Sequence, residues 1–558
     1  MPGGIMQLKA YGVQNQYLTG NPQFTFFRAI YKRHTNFSME IISTPLQGPT
    51  ELSIDNPIKL STSIDRNGDL VSNIYFVFEL PDIYSGYNTS LQNTIYFEEA
   101  GRKFAWINSI GTNIIRTCKL SIGGQTINTL YGEWIRIWHE LFSTYDMRTF
   151  DEMVGNLPEL FLPETSVGAG GYYPTSTLNS TENEDPEQFS LSEFLSNPYL
   201  KAPSIRGRTI TVPLNLWFTS NPGLSLPLIA LQYHSVAIDI ELRPLSQLYT
   251  IYEFNEVTKK SYKTTPDMTN NFHIIQNFIS SKESTTFNHE DDTLSAINEP
   301  YNGWGFNARL QINYIFLDED ERKRFADITH EYLIDQVIKQ NFTGFSDIAN
   351  IDLKLQNPVK NVIFLAERDD FENQNIFGNY TNWEIPAIDP SSSVFIKKNV
   401  GEFAFTSAST STENAIGIDL AYQAFENDDI PHKFNFYQYN KQPIKTANLF
   451  FNGQPRFGEQ TSDFFQNTQI YQHKFQNSMD GVLMYSFSLE PTKYQPSGSC
   501  NFSRIQSIHL NIKFNDIPFI RQDNNELQPK YKYNVTVYSI NYNIFRIIGG
   551  MGGLSFSS

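Results

Sequence analysis

Val236-Ala237-Ile238-Asp239-Ile240-Glu241-Leu242 alternates branched apolar side chains with small or charged ones, residue by residue. Successive side chains of an extended chain point to opposite faces, so this spelling buries one face of a strand and wets the other. Three more stretches are spelled the same way: Leu310, Ile312, Tyr314 and Phe316; Ile508, Leu510, Ile512 and Phe514; and Tyr538, Ile540, Tyr542 and Ile544. Clusters such as Asn221-Pro222-Gly223 and Gln495-Pro496-Ser497-Gly498 punctuate such runs with residues whose backbone preferences suit turns. The chain therefore reads as all-β, built from sheets that each need a second layer to cover their dry face.

The order of signals repeats. Cys118 to Ile127 reads as a hairpin bent at Gly123-Gly124 and is followed by the amphipathic aromatics Trp134, Trp138 and Phe142. Asn448 to Phe457 reads as a second hairpin, bent at Asn452-Gly453 and followed by Phe464, Phe465 and Tyr471. Each half then supplies a strand, a Pro/Gly loop and an alternating strand, with Trp217 before Val236 and Phe487 before Ile508, and closes on one more alternating strand. That layout implies an internal duplication. Between the halves, Asp318 through Val337 predicts a bridging helix: Asp318 suits an N-cap, Glu321 has capping-box spacing, and Phe325, Ile328 and Tyr332 share a side. Long polar stretches at about 150–205, 243–305 and 367–445 predict loops carried on the β scaffold.

Composition narrows the function. The 558 residues carry 42 Lys and Arg against 59 Asp and Glu, a formal charge of −17, which disfavours extended binding to phosphate backbones. Two cysteines, Cys118 and Cys500, exclude a disulfide scaffold or a cysteine-rich zinc module and suit a reducing compartment, although a bridge between them stays open. The opening residues spell no signal peptide, and no apolar run approaches the roughly 18–20 residues of a membrane helix.

Chemistry-bearing patterns are weak. His330-Glu331 lacks a second histidine at 334, where Ile stands, so no zinc-protease motif forms, and the pair suits a helix surface. Gly549-Gly550-Met551-Gly552-Gly553 has no following Lys or helix and reads as a flexible or tightly packed tail. The acidic groups Asp369-Asp370, Asp428-Asp429 and Glu290-Asp291-Asp292 single out no catalytic dyad. Seven Asn-x-Ser/Thr sequons occur, at Asn36, Asn88, Asn179, Asn341, Asn379, Asn501 and Asn534, with Asn179 in the most loop-like context. No catalytic, cofactor-binding or metal-ligating residue is assigned, and the chain is read as a non-enzyme. Two other readings stay open: a carbohydrate-binding β-sandwich surface protein and a β-sandwich glycosidase.

Several long motifs in order then carry a resemblance. Gly3-Gly4-Ile5-Met6-Gln7-Leu8, Tyr17-Leu18-Thr19-Gly20-Asn21-Pro22-Gln23, Tyr31-Lys32-Arg33-His34-Thr35-Asn36-Phe37, Tyr131-Gly132-Glu133-Trp134, Asp320 to Ala326, Gln495 to Ile505 and Asn541 to Leu554 resemble the double jelly-roll major capsid proteins of nucleocytoplasmic large DNA viruses, in their mimivirus-like and algal-virus branches. The resemblance implies two tandem eight-stranded jelly rolls joined by a short linking helix and bearing long surface loops. It implies an N-terminal arm over 1–36, a first jelly roll over 37–317, a linker helix over 318–340, a second jelly roll over 341–548 and a C-terminal tail over 549–558. As a major capsid protein, the chain would form homotrimeric capsomers with a pseudo-hexameric outline that tile an icosahedral shell in the virion, assembled in the host cytoplasm. Its partners would be other copies of itself and minor capsid and penton proteins. The arm would lie inside, near an internal membrane, glycans on the outer loops stay open, and nucleic acid would not be touched directly.

Overall fold

The computed structural model describes residues 3–29, 31–83, 88–89, 94–96, 103–143, 146–161, 188–190, 205–255, 260–270, 273–279, 304–383, 441–517, 519–521, 527–529 and 531–556. In the first half, eight strands carry the fold: β1 (Phe37–Pro45), β2 (Ile58–Ser63), β3 (Leu70–Leu80), β4 (Ile115–Ile122), β5 (Gln125–Tyr131), β6 (Arg208–Pro213), β7 (Val236–Leu242) and β8 (Arg309–Leu317). They form two antiparallel sheets, ordered β1-β8-β3-β6 and β2-β7-β4-β5. The second half repeats this with β9 (His330–Phe345), β10 (Ile348–Asp352), β11 (Pro358–Arg368), β12 (Ile444–Phe451), β13 (Gln454–Pro455), β14 (Val482–Ser486), β15 (Ile508–Phe514) and β16 (Tyr533–Ile548). Its sheets run β9-β16-β11-β14 and β10-β15-β12-β13. First, eighth, third and sixth strands share one sheet, and second, seventh, fourth and fifth the other, in both halves. That order is the Greek-key weave of a jelly roll, so the duplication is real at the level of topology.

The alternation carries the sandwiches. In β7 the side chains of Val236, Ile238, Ile240 and Leu242 are buried while Asp239 is exposed, and β15 buries Ile508, Leu510, Ile512 and Phe514. The β4–β5 hairpin turns on Gly123 and Gly124 with φ of 59° and 81°, and the β12–β13 hairpin on Asn452 and Gly453 with φ of 50° and 80°. Both central residues are left-handed, as a two-residue turn needs in order to follow the strand twist. Helices follow each hairpin: α2 (Gly132–Phe142) in the first half, α1 being Gly3–Lys9 in the arm, and in the second half the short turns Phe464–Thr468 and Gln469–Gln472.

The bridging helix is shorter than the sequence predicts. The helix α4, after α3 (Met147–Val154), spans only Glu319–Asp327, capped by the Asp318 carboxylate on the Glu319 amide. Residues 330–345 are strand β9, so His330 and Glu331 lie on a strand, and Ile328 is 58 % exposed instead of sharing a buried helical side with Tyr332. The second sandwich accordingly takes its first strand from 330, not 341. The glycine-rich end is no loose tail: Gly549-Gly550 turns the chain, and β17 (Met551–Leu554) pairs back on β16. Two of the stretches read as loops hold regular structure as well. The strands Tyr249–Asn255 and Lys260–Thr264 form a small sheet with Lys103–Trp106, and α3 buries Phe150 and Val154. Trp217, read as part of a strand, sits buried in the turn beyond β6.

Two apolar clusters organise the core, and they do not divide at the linker. One belongs to the second sandwich and includes Val362, Phe364, Leu510, Ile512, Tyr533, Val535 and Val537. The other fills the first sandwich and continues into the second half through Tyr332, Ile334, Ile363, Leu365, Tyr538, Ile540, Phe545 and Ile547. Strands β9 and β16, of 16 residues each, therefore run through both.

Candidate functional site

With no catalytic residue to place, the structure is informative about what the titratable groups do instead. The Asp370 carboxylate is gripped by Arg368, with Nε to Oδ1 at 2.9 Å, and Asp369 accepts from the Lys532 amide at 2.9 Å, so this acidic pair is structural. The groups at 290–292 and 428–429 lie outside the described residues, as does Asn179. His330 Nε2 is 2.7 Å from the Phe325 carbonyl, and Glu331 pairs with Arg546 at 2.7 Å. Burial pushes the His139 imidazole down to about 4, and its ring stacks on Phe150 with centroids 4.0 Å apart. Among the described residues no group of three or more His, Cys, Asp or Glu is placed to hold a metal ion. Cys118 is buried and Cys500 partly so, and both are free thiols. The Asn379 side chain is buried and donates to the Trp383 carbonyl at 2.7 Å, which withdraws that sequon from modification.

What the fold does build is a polar seam between its halves. Gly132 starts α2 where a Cβ would meet the Thr112 and Ile115 carbonyl oxygens at 2.1 and 2.2 Å, so only glycine admits this entry. The next residue, Glu133, reaches across to β9 and β16. Its Oε1 accepts from Lys339 Nζ and, at 2.9 Å, from the Tyr538 hydroxyl, while Arg243 lies 3.8 Å from Oε2. Lys339 lies over the Tyr131 ring at 5.1 Å, and Arg243 over Phe377 at 4.3 Å. Burial alone would raise the Glu133 carboxyl, but Lys339 and Arg243, with the two hydrogen bonds, outweigh it and hold the group below its usual range. Nearby Glu367 is relieved too little: burial first, then the Glu133 charge, push it up to about 8 against the weaker opposing pull of Arg243 and Lys339. Trp134 packs on Tyr538 at 5.1 Å beneath the ion pair.

Further links hold the halves. Gln336 donates to the Ile127 carbonyl at 2.7 Å and accepts from Asn543 at 2.8 Å. Asn375 donates to the carbonyls of Ser246 and Tyr249 at 2.8 and 3.0 Å. The β16–β17 hairpin lies on the first half: the Tyr233 amide donates to Gly550 at 3.0 Å, and a Cβ on Gly552 would stand 2.8 Å from Leu231. Arg322 of α4 meets Asp69 at 3.0 Å. Sequence reasoning quoted Tyr131 to Trp134 as a motif but did not foresee the seam, because Lys339 and Tyr538 are hundreds of residues away and only the fold brings them to Glu133.

Comparison with known proteins agrees with this architecture. Residues 25–318 match the family described as major capsid protein N-terminus, and residues 321–553 that described as large eukaryotic DNA virus major capsid protein. The chain is 31 % identical to the major capsid protein of Phaeocystis pouchetii virus and 27 % to capsid protein 1 of Acanthamoeba polyphaga mimivirus, each over 100 % of both chains. Among solved structures, PBCV-1 VP54, fitted into a reconstruction of the virophage Sputnik, superposes with a TM-score of 0.58 at 24 % identity over 96 % of this chain and 100 % of that one. The Faustovirus major capsid protein gives 0.54 at 13 % identity over 98 % and 97 %. Both likenesses support the same double jelly-roll fold. Two sandwiches of one strand order, matched by capsid families over 25–318 and 321–553 and by a relative covered over its full length, make this chain a member of the major capsid proteins of large eukaryotic DNA viruses, the proteins that form the virion shell.

Proposed function

We propose that the chain acts by association alone, three copies closing into a capsomer of pseudo-sixfold outline that tiles an icosahedral shell around a double-stranded DNA genome. The observation that carries this reading is the repeated strand order: two like sandwiches per chain, taken three times, offer six similar edges to neighbours. The seam around Glu133 holds the two sandwiches in one mutual orientation, which a near-hexagonal outline requires. In this reading 37–317 form the first jelly roll, 318–329 the link, and the second roll begins at β9 and ends with the β16–β17 hairpin. Within a capsomer the contacts belong to the large obligate class, above about 2,000 Å². Contacts between capsomers are individually weaker and add up across the lattice. Minor capsid and penton proteins complete the shell, the arm faces inward toward an internal membrane, glycans sit on the outer loops, and assembly takes place in the host cytoplasm. Catalysis has no part in it, and the carbohydrate-binding reading is not favoured.

Size-exclusion chromatography with light scattering tests this directly. A stable species near three times 64.1 kDa is expected. A monodisperse monomer that binds or cleaves sugars would overturn the proposal.

A further inference from the structure

The first 36 residues differ from the rest in charge and in cover. They hold four cations, Lys9, Arg28, Lys32 and Arg33, and no carboxylate precedes Glu40. Everything beyond them has 38 Lys and Arg against 59 Asp and Glu, a formal −21. Every described residue of the arm is exposed, including Leu8 at 82 %, Tyr17 at 92 %, Phe26 at 87 %, Phe27 at 99 % and Tyr31 at 86 %. A seven-residue helix such as α1 has no stability of its own in water. An apolar surface this large, rimmed by one sign of charge, marks a binding segment. The six aromatics Tyr11, Tyr17, Phe24, Phe26, Phe27 and Tyr31, at about 150 Å² each, approach 900 Å², one partner's share of a standard interface.

A matching surface lies on the same chain. Among the described residues strand β1 pairs only with β8, so it is the edge of its sheet. Its outward side chains Phe37, Met39 and Ile41 are 49, 60 and 60 % exposed, a bare apolar stripe on an edge that proteins ordinarily cover. Glu40 stands exposed on the opposite face of the same strand, and the loop that follows carries the exposed Glu51, Ile54 and Asp55. Basic and aromatic on one side, acidic and apolar on the other, the two surfaces complement each other. The arm runs straight into β1, yet it does not cover the stripe of its own chain.

We infer that the arm of one copy docks on the β1 edge of a second copy, Phe26, Phe27 and Tyr31 covering the Phe37-Met39-Ile41 stripe while Arg28, Lys32 and Arg33 reach round the edge to Glu40 and along the following loop to Glu51 and Asp55. The inference rests on the self-assembly reading and names the partner of its inward arm. In a closed ring each copy gives one arm and receives one, so no arm and no stripe is left bare.

The test mixes isotopically light and heavy full-length protein and applies a zero-length carbodiimide, which joins amines to carboxylates. Light-to-heavy links from Lys32 to Glu40, Glu51 or Asp55 are expected. The triple variant Arg28→Glu, Lys32→Glu, Arg33→Glu and the variant Phe26→Ser, Phe27→Ser, Tyr31→Ser should keep the wild-type circular dichroism. Both should need on the order of tenfold more protein to assemble. Links confined within one copy, or unchanged assembly of both variants, would overturn the inference while leaving self-assembly standing. So would cosedimentation of wild type, but not of the variants, with phosphatidylserine vesicles at unchanged assembly, since the arm would then be a membrane anchor. A wild type that stays monomeric would instead fail the self-assembly reading itself.

Discussion

Removing the Glu133 carboxylate should loosen the junction of the two sandwiches by an amount the geometry sets. The Glu133→Ala variant leaves Lys339 and Arg243, 18 and 17 % exposed at the side chain, without their counter-charge, and takes the acceptor from the Tyr538 hydroxyl. Breaking a buried pair by deleting one partner costs about 3–5 kcal/mol, and the partial access of water brings this to about 3. At an unfolding entropy of about 2 cal/mol/K per residue, that is a Tm drop of roughly 2–3 °C for a chain of this length, compared at matched protein concentration. Trp134 stands 5.1 Å from Tyr538 and Trp217 5.3 Å from Tyr332, so two of the six tryptophans lie on the junction and their share of the fluorescence follows it. Lys339→Met alone should cost a similar amount because it strands Glu133. The double variant should lose less than the sum, with a coupling of about 1–3 kcal/mol. A Glu133→Ala protein melting within about 0.5 °C of wild type, with no coupling to Lys339, would show that the ion pair does not fasten the halves.

Other expectations follow from the same packing. Glu367 holds its proton up to about pH 8 in the folded chain, whereas unfolded it releases it near 4.5. The unfolded state thus binds fewer protons across that interval, so stability falls as pH rises from about 4.5 to 8. Glu367→Gln should match wild type near pH 4 and melt higher at pH 9, and parallel Tm curves at every pH would contradict this. Gly132→Ala forces a Cβ into two carbonyl oxygens and should cost several kcal/mol, about 3 or more. Gly124→Ala meets open space and pays only for its left-handed backbone, about 1 kcal/mol. Chemical denaturation of the two variants ranks them.

The legible part of this fold was the part with one dry face. Val236–Leu242 and Ile508–Phe514 each have a core on one side and a wetter surface on the other, so their spelling is their structure. Strand β9 is different. Tyr332 and Ile334 pack on the first half while Phe342 and Phe345 pack in the second, so apolar residues fall at 332, 333, 334, 337 and 338 with no period of two. That spacing imitates a helix, and it drew the expected helix well past Asp327, where the chain in fact stops turning. The turns were legible because Gly123-Gly124 and Asn452-Gly453 state their backbone angles chemically. The Glu133 seam was not: a carboxylate in a helical segment reads as solvated until the fold brings Lys339 and Tyr538 to it.

Because β9 and β16 thread both hydrophobic clusters, the duplicated chain has no place where it can be cut into self-sufficient parts. A first sandwich expressed alone would expose Trp217, whose ring rests on Tyr332 and Phe545 at 5.3 and 5.5 Å. A second sandwich alone would carry half of its two longest strands into water. The fusion is in this sense irreversible: once strands of one copy came to pack into the core of the other, neither could go back to being a single-roll building block, and a load on one roll must be borne by the other.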